Sequence, residues 1–315
     1  MNNIIITGAA GLIGSTLIEF IIKNKKNKIL AIDNLSCGKF NNIKKFIKEK
    51  NFIFLNADIS KKKFNSKTKA IIKNNIYNEI WLLAANSDIQ KGNINVNIDL
   101  QNTFFTTFYF LNNIQSHITR NTKIIFTSSS AVYGKKLNKV ITDDSSLLPI
   151  SNYGAMKLAS ESYLSYFSNK KHIKYYIYRL PNVIGENITH GLLFDMKKKF
   201  FSNKNFVQVL GNGNQKKPYA FAEDLIKAIM KLNKLKNSLI LNIGPKDFGI
   251  TVKKIINKIY YKLNSKKKIF YEKKNYGWLG DVPEYYYDLK NLNKKNVSLK
   301  LSSKEAINKT INLIF

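Results

Sequence analysis

The stretch 4-IIITGAAGLIGS-15 constrains this chain more than any other. An apolar β-branched run leads into glycines at 8, 11 and 14, and a helix-forming sequence follows at once. Glycines at a strand-to-helix turn let the backbone bend sharply and approach a pyrophosphate, whose charge then rests on the free N–H groups of the helix N-terminus. A spaced glycine array alone is weak evidence, but 28-KILAIDN-34 adds a second strand ending on Asp33. A carboxylate about 20 residues beyond the glycines is placed to bind a ribose diol. It would repel a 2′-phosphate, so the cofactor implied is NAD in preference to NADP.

Short apolar runs separated by helix-length segments continue through the first two thirds of the chain, at 4–7, 28–32, 52–56, 79–83, 123–127 and 175–179. The intervening patterns predict helices over 12–24, 40–49, 64–74, 96–115 and 152–168. Such alternation is the signature of an α/β fold with a Rossmann-type, doubly wound parallel sheet. Beyond residue 180 the regularity fades into Gly/Asn/Pro turns at 185–191, 211–218 and 244–249. The expected division is a cofactor-binding domain over 1–180 and a smaller α/β substrate-binding region over 181–315, interleaved with the sheet.

With 315 residues and 44% hydrophobic composition, the chain can bury a substantial core. No stretch approaches the ~20 apolar residues of a membrane span, and no basic leader precedes the apolar run at Ile4, so a cytoplasmic protein is expected. The single cysteine, Cys37, and the lack of a Cys/His cluster exclude a disulfide scaffold and a zinc site. A formal charge of +32 invites a nucleic-acid reading. However, only Arg120 and Arg179 are arginines, and the lysines are dispersed over the whole length. That pattern fits a solvated lysine surface better than a groove-reading patch, so no nucleic-acid partner is expected.

The chemistry is carried by 124-IIFTSSSAVYG-134 and 153-YGAMK-157. Residues four apart share a helix face, which projects Tyr153 and Lys157 together above the sheet. A lysine ammonium beside a phenol favours the phenolate, and a phenolate can take a proton from an alcohol while a hydride leaves the same carbon. A serine 24 residues earlier, at the end of the neighbouring strand, reaches the same oxygen.

The combination of TGAAGLIG, SSAVYG and YGAMK resembles the extended short-chain dehydrogenase/reductase family of nucleotide-sugar epimerases and dehydratases, over essentially the entire chain. Further similarity lies in 182-NVIG-185, 211-GNGNQKKPYAFAEDL-225 and 280-GDVPEYYYDLKNL-292. The segments 84-AANSDIQKG-92, 190-HGLLFDM-196 and 277-GWLGDV-282 are similar to a compact, UDP-galactose 4-epimerase-like branch. Position by position, the resemblance implies Tyr153 as base, Lys157 as its electrostatic partner and ribose ligand, and Ser129, four residues before Tyr133, as the hydroxyl that polarises the sugar oxygen. It implies cofactor contacts from Gly8, Gly11, Leu12, Ile13 and Gly14, from Asp33, Asn34, Ser36 and Gly38, and from Asp58 and Ile59 at the adenine. Leu83, Ala84, Ala85, Thr127 and Pro181 complete that set. For the substrate it implies Ser87, Ser129, Ser130, Asn182, His190, Leu193, Val207, Gln208, Val209, Lys217, Tyr219 and Asp281. A homodimer through helices 96–115 and 152–168 is expected likewise.

Some positions depart from the family pattern. In the dehydratases an acidic pair follows the catalytic hydroxyl, whereas Ser130 and Ala131 follow Ser129 here. Without those carboxylates, elimination of water lacks its proton carriers. Lys217 stands where the family carries an arginine, and Trp278 replaces a second one. The expected activity is NAD-dependent oxidation at C4 of a nucleotide-diphosphate sugar, as a 4-epimerase in surface-polysaccharide or sugar-nucleotide biosynthesis. A C4 dehydrogenase or reductase with net redox shares the same motifs and stays open, and a non-catalytic NAD- or RNA-binding protein is a third alternative.

Overall fold

The computed structural model describes residues 1–73, 75–136 and 139–315. Seven strands form its central sheet: β1 (Asn2–Thr7), β2 (Asn27–Asp33), β3 (Phe52–Asn56), β4 (Glu79–Leu82), β5 (Lys123–Ser129), β6 (Lys174–Leu180) and β7 (Leu239–Asn242). Their spatial order is β7-β6-β5-β4-β1-β2-β3, and every neighbouring pair is parallel. The order reverses between β1 and β4, which opens a crevice at the carboxyl ends of these strands where doubly wound sheets bind their ligands. The doubly wound reading thus holds, with a seventh strand from 239–242 that the apolar pattern of the first 180 residues does not contain.

Both faces of the sheet are covered, and successive residues of each strand feed opposite cores. Ile4, Ile6, Trp81, Ile125, Tyr176 and Tyr178 pack on one side with Leu17 and Ile18 of the helix Leu12–Ile21 and with Leu225 and Ile229 of Ala222–Leu232. On the other side, Ile5, Ile80, Leu82, Ile124, Phe126 and Ile177 meet Ile72, Phe110, Leu111, Leu164 and Phe167 from the helices Ser66–Ile72, Thr106–Ile114 and Asn152–Lys171. A third core gathers Leu193, Met196, Val207, Val209, Tyr219, Ile255, Ile256 and Ile307 from the second half of the chain. There the Asp224 carboxylate accepts the backbone N–H groups of Lys300 and Leu301 at 2.6 and 2.9 Å, tying down the approach to the terminal helix Ser303–Ile314.

One helix expectation fails. Over 40–49 the chain makes only two 3₁₀ turns, Phe40–Asn42 and Lys44–Phe46. The Asn42 side chain donates to the Ala10 carbonyl instead, which pins the segment to the glycine loop. The helix expected over 96–115 is present without a break, but it changes type along its length. A short α-helical piece, Val96–Asp99, is followed by the π-helical turn Leu100–Phe105 before regular helix resumes at Thr106. The helix expected over 64–74 occupies Ser66–Ile72, capped by the Asn65 side chain on Thr68 N–H, and position 74 lies outside the described residues. Among the described residues no helix is long and apolar enough to cross a membrane.

Candidate active site

The glycine loop sits at the end of β1, in the crevice. Gly8 adopts φ +66°, and a Cβ on it would stand 2.8 Å from the Ala84 backbone nitrogen, so the loop presses directly against the segment after β4. A Cβ on Gly14 would strike the Gly8 carbonyl oxygen at 2.3 Å. Both positions therefore require glycine for the close approach a pyrophosphate cradle needs. The Thr7 hydroxyl, at the last residue of β1, accepts the N–H groups of Leu83 and Ala84 at 3.1 and 3.3 Å and welds the two walls together.

Asp33, at the end of β2, is buried with its carboxylate already oriented. One oxygen accepts Ala10 N–H at 2.9 Å and the other Leu35 N–H at 2.8 Å. Burial pushes its carboxyl above the usual carboxylate range while those two N–H bonds hold it back. Gly38 lies against the same carboxylate, and Ser36 folds back onto the Asn34 side chain. Asp58 at the end of β3 accepts Ser60 N–H and Oγ–H, with Ile59 buried beside it. These groups lie at the carboxyl ends of the strands, and a cradle that a Cβ on Gly8 or Gly14 would fill fits a dinucleotide.

The reactive groups stand on the adjoining β5 and the helix Asn152–Lys171. That helix starts on Ser151, whose hydroxyl accepts Gly154 N–H at 3.1 Å. Tyr153 stands in its first turn facing the Ser129 hydroxyl, and Lys157 one turn on donates to the Thr127 carbonyl at 2.7 Å. The Lys157 ammonium also lies 4.6 Å from the Phe126 ring centroid and 5.8 Å from that of Tyr153. Burial pushes Lys157 down to about 7, with the Glu161 carboxylate opposing the fall. Tyr153 is held well above the usual phenol range, first by burial and then by the negative charge of Asp99. In the polypeptide itself, desolvation outweighs the groups that favour the phenolate.

Beneath this pair runs a buried polar network. Glu161 accepts hydrogen bonds from Ser128 and from Arg179, whose Nη2 lies 2.8 Å away, and Arg179 reaches on to the Tyr133 hydroxyl at 2.8 Å. Tyr133 in turn donates to Asn242 of β7 at 2.8 Å. One of the chain's two arginines is therefore fully committed inside the protein.

Ser129, Ser130, Pro181, Asn182, Lys217 and Asp281 line one cleft with Ala131, Trp278 and Tyr285, leaving about 590 Å³ of unfilled space that includes its open mouth. Lys217 is ion-paired to Asp281 and lies 4.7 Å from the Trp278 ring centroid, and Asp281 also accepts Gly277 N–H at 2.9 Å. The Ser130 hydroxyl donates to Tyr285 at 2.8 Å. The other expected substrate residues are placed differently. Leu193, Val207, Val209 and Tyr219 point into the third core, Gln208 is exposed with its carbonyl accepting Lys199, and His190 is exposed beside Thr189. Ser87 lies in the loop after β4, outside the cleft lining. Sequence reasoning missed Thr7, Glu161 and Tyr285, and it missed Asp99, a buried acid in the middle of an apolar helical pattern.

The profile of the NAD dependent epimerase/dehydratase family matches residues 4–244, spanning the glycine loop, Tyr153 and Lys157. A Methanocaldococcus jannaschii protein named provisionally a UDP-glucose 4-epimerase is 27% identical over 98% of this chain and 97% of its own length. The dTDP-4-dehydro-6-deoxyglucose reductase of Escherichia coli is 27% identical over 86% of this chain and 85% of its own. Among solved structures, a UDP-glucuronic acid 4-epimerase from Bacillus cereus in complex with UDP-glucuronic acid and NAD superposes with a TM-score of 0.85, covering 99% of this chain and 98% of that one at 22% identity. With the cradle, the oriented Asp33 and the Ser129/Tyr153/Lys157 group in one crevice, this chain is an NAD-dependent enzyme and belongs to the NAD dependent epimerase/dehydratase family.

Proposed function

We propose that the protein is a nucleotide-sugar 4-epimerase, acting on a UDP-linked hexose through a transient 4-keto sugar. The observation that carries this reading is the surroundings of Ser129. Its neighbour Ser130 is tied to Tyr285, and Ala131 follows with its N–H on the Ser129 hydroxyl. Among the described cleft-lining residues the one carboxylate is Asp281, engaged by Lys217 and Gly277. Oxidation at C4 is therefore provided for, whereas loss of water across C5 and C6 has no free acid or base.

NAD, when bound, would supply the reversible hydride chemistry at C4. Gly8, Gly11 and Gly14 would cradle its pyrophosphate and Asp33 would take the ribose diol. Tyr153 receives the O4 proton as the C4–H bond breaks and returns it when that bond reforms on the other face. Ser129 donates a hydrogen bond to O4, and Lys157 supplies positive charge beside the phenolate. Ser130, Asn182, Lys217 and Tyr285 hold the sugar and its diphosphate in the cleft. A cytoplasmic setting, where NAD and nucleotide sugars are made, suits this chemistry, within surface-polysaccharide or sugar-nucleotide synthesis.

Mass spectrometry of ligands retained by the purified protein, followed by incubation with UDP-glucose and NMR of the products, tests the reading. Interconversion of UDP-glucose and UDP-galactose with no net NADH is expected. Accumulation of a 4-keto sugar with NADH would instead establish a net C4 dehydrogenase, the second reading.

We further infer a homodimer. The helices Thr106–Ile114 and Asn152–Lys171, with the π turn before them, carry a half-buried aromatic sheet. Phe104 stacks on Phe108 at 5.6 Å, Phe108 meets Tyr163 at 4.7 Å, and Tyr163 leads to the exposed Tyr166 at 6.3 Å. A contiguous apolar surface of this kind on two neighbouring helices suits a self-complementary interface. Sedimentation at micromolar concentration is expected to give the dimer mass, and a monomer there removes the inference.

A further inference from the structure

The two walls of the cleft come from distant parts of the chain. One is the start of the helix Asn152–Lys171, with Tyr153 in its first turn. The other is the turn from Trp278 to Asp281, closed by the Asp281 N–H on the Trp278 carbonyl at 3.0 Å. Ile150, Ser151, Trp278, Gly280 and Asp281 all line the cleft, so the seam between these two segments is part of its wall.

One side chain, Asn93 of the short helix Ile89–Ile94, bonds to both segments. Its carboxamide oxygen accepts the Asn152 N–H at 3.1 Å, and its amide nitrogen donates to the Leu279 carbonyl. The first is one of the donors a helix leaves free at its N-terminus. The second belongs to the exposed tip of the turn. A carboxamide presents an acceptor and a donor on separate atoms, which is what a bridge from an N–H to a carbonyl requires. Asn152 reciprocates with its own amide on the Gly92 carbonyl at 3.0 Å, so the helix start and residues 92–93 are joined twice. The turn is seated just as closely. Gly280 has φ +84°, and a Cβ on it would fall 2.7 Å from the Ile150 carbonyl oxygen and 2.9 Å from the Asn93 amide nitrogen. A larger residue there would hold the turn away from the helix start.

We propose that Asn93 is a positioning residue, a clasp that fixes the turn carrying Trp278 and Asp281 at a set distance from Tyr153. The inference rests on the nucleotide-sugar reading above. Asp281 is also tied to Lys217 and to the Gly277 N–H at 2.9 Å, but those bonds stay within its own wall. The Asn93 bonds cross the seam. Reaction between a bound substrate and a catalytic group is sensitive to misplacement by an ångström, so a wall held in register with the base contributes to both binding and turnover.

Two substitutions in the NAD-loaded protein separate the halves of the clasp. Asn93→Asp keeps an oxygen for the Asn152 N–H, where a carboxylate suits a helix N-terminus, but turns its other oxygen on the Leu279 carbonyl. Hydrogen exchange is expected to quicken over 277–282 and to stay unchanged over 153–157. Affinity for UDP alone, measured by calorimetry, should fall about five- to tenfold, the worth of roughly one hydrogen bond. KM for UDP-glucose should rise by the same factor with kcat nearly unchanged. Asn93→Ala frees the Asn152 N–H as well and should add a several-fold fall in kcat. Unchanged exchange over 277–282 in Asn93→Asp overturns the proposal, and so does quicker exchange with UDP affinity and KM unaltered. If Asn93→Asp does not fold, Gly280→Ala, whose Cβ would lever the turn off Ile150, carries the same expectation and the same overturning results. Exchange and UDP binding involve no turnover. A protein that binds UDP yet fails to interconvert UDP-sugars therefore loses the epimerase reading and keeps the clasp.

Discussion

Replacing Tyr153 by Phe is expected to lower kcat by about 10²- to 10⁴-fold, the range a positioned acid–base group contributes. The substitution removes one oxygen and keeps the ring, so the helix start on Ser151 and the Lys157 contact to Thr127 are undisturbed. The Ser129 hydroxyl remains bonded to Ala131 N–H. Binding of NAD should therefore persist, because the glycine cradle and Asp33 lie on other strands. Steady-state turnover together with the NAD content of the purified variant checks both halves. Turnover within a few-fold of wild type would show that another group takes the proton.

The largest effect on stability is expected at Arg179. Arg179→Met leaves Glu161 buried without its cationic partner and frees the Tyr133 hydroxyl from its donor. Breaking a buried pair on one side costs about 3–5 kcal/mol, and for a chain of this size that corresponds to a drop of roughly 10 °C in Tm. Glu161→Met in the same protein should recover much of the loss, because the uncompensated charge goes with its partner. Calorimetry of the single and double variants decides it. A single-variant loss under about 1 kcal/mol, or a double variant no better than the single, would mean that the pair contributes little.

Much of the fold could be read from the residues for a definite reason. Buried parallel strands are continuous apolar runs, and 4–7, 28–32 and 123–127 show them plainly between helical periods. β7 escaped because 239-LILN-242 is only four residues long and lies among lysines and asparagines. The helix over 40–49 failed because its period is genuine but local competition is stronger, with the Asn42 amide taken by the loop at Ala10. The π turn was invisible because one extra residue per turn scarcely disturbs an aromatic stripe such as 104-FFTTFYFL-111.

The candidate site divides in the same way. Gly8, Gly14, Asp33, Ser129, Tyr153 and Lys157 are fixed by short spacings within single strand–turn–helix units, and the structure brings them into one crevice. Val207, Gln208 and Val209 show the limit of position-by-position transfer. Their alternation already says that the valines point inward and Gln208 outward, as the strand Phe206–Val209 does. Asp99 is legible only in three dimensions, since its surroundings come from Asn86 and Gly92, on other turns of the chain.

The return of residues 239–242 to the sheet bears on how the protein is made. As the chain leaves the ribosome, a nascent segment ending near 180 presents β6 as a bare edge, with Tyr176, Ile177, Tyr178 and Arg179 lacking the partners that Leu239–Asn242 supply. The Tyr133 hydroxyl waits for Asn242, and the Tyr176 and Tyr178 hydroxyls for Leu235 and Asn233. An unpaired edge of this kind is open to pairing with other chains. The sheet of the catalytic half thus gains its outermost strand only after residues 239–242 have been synthesised.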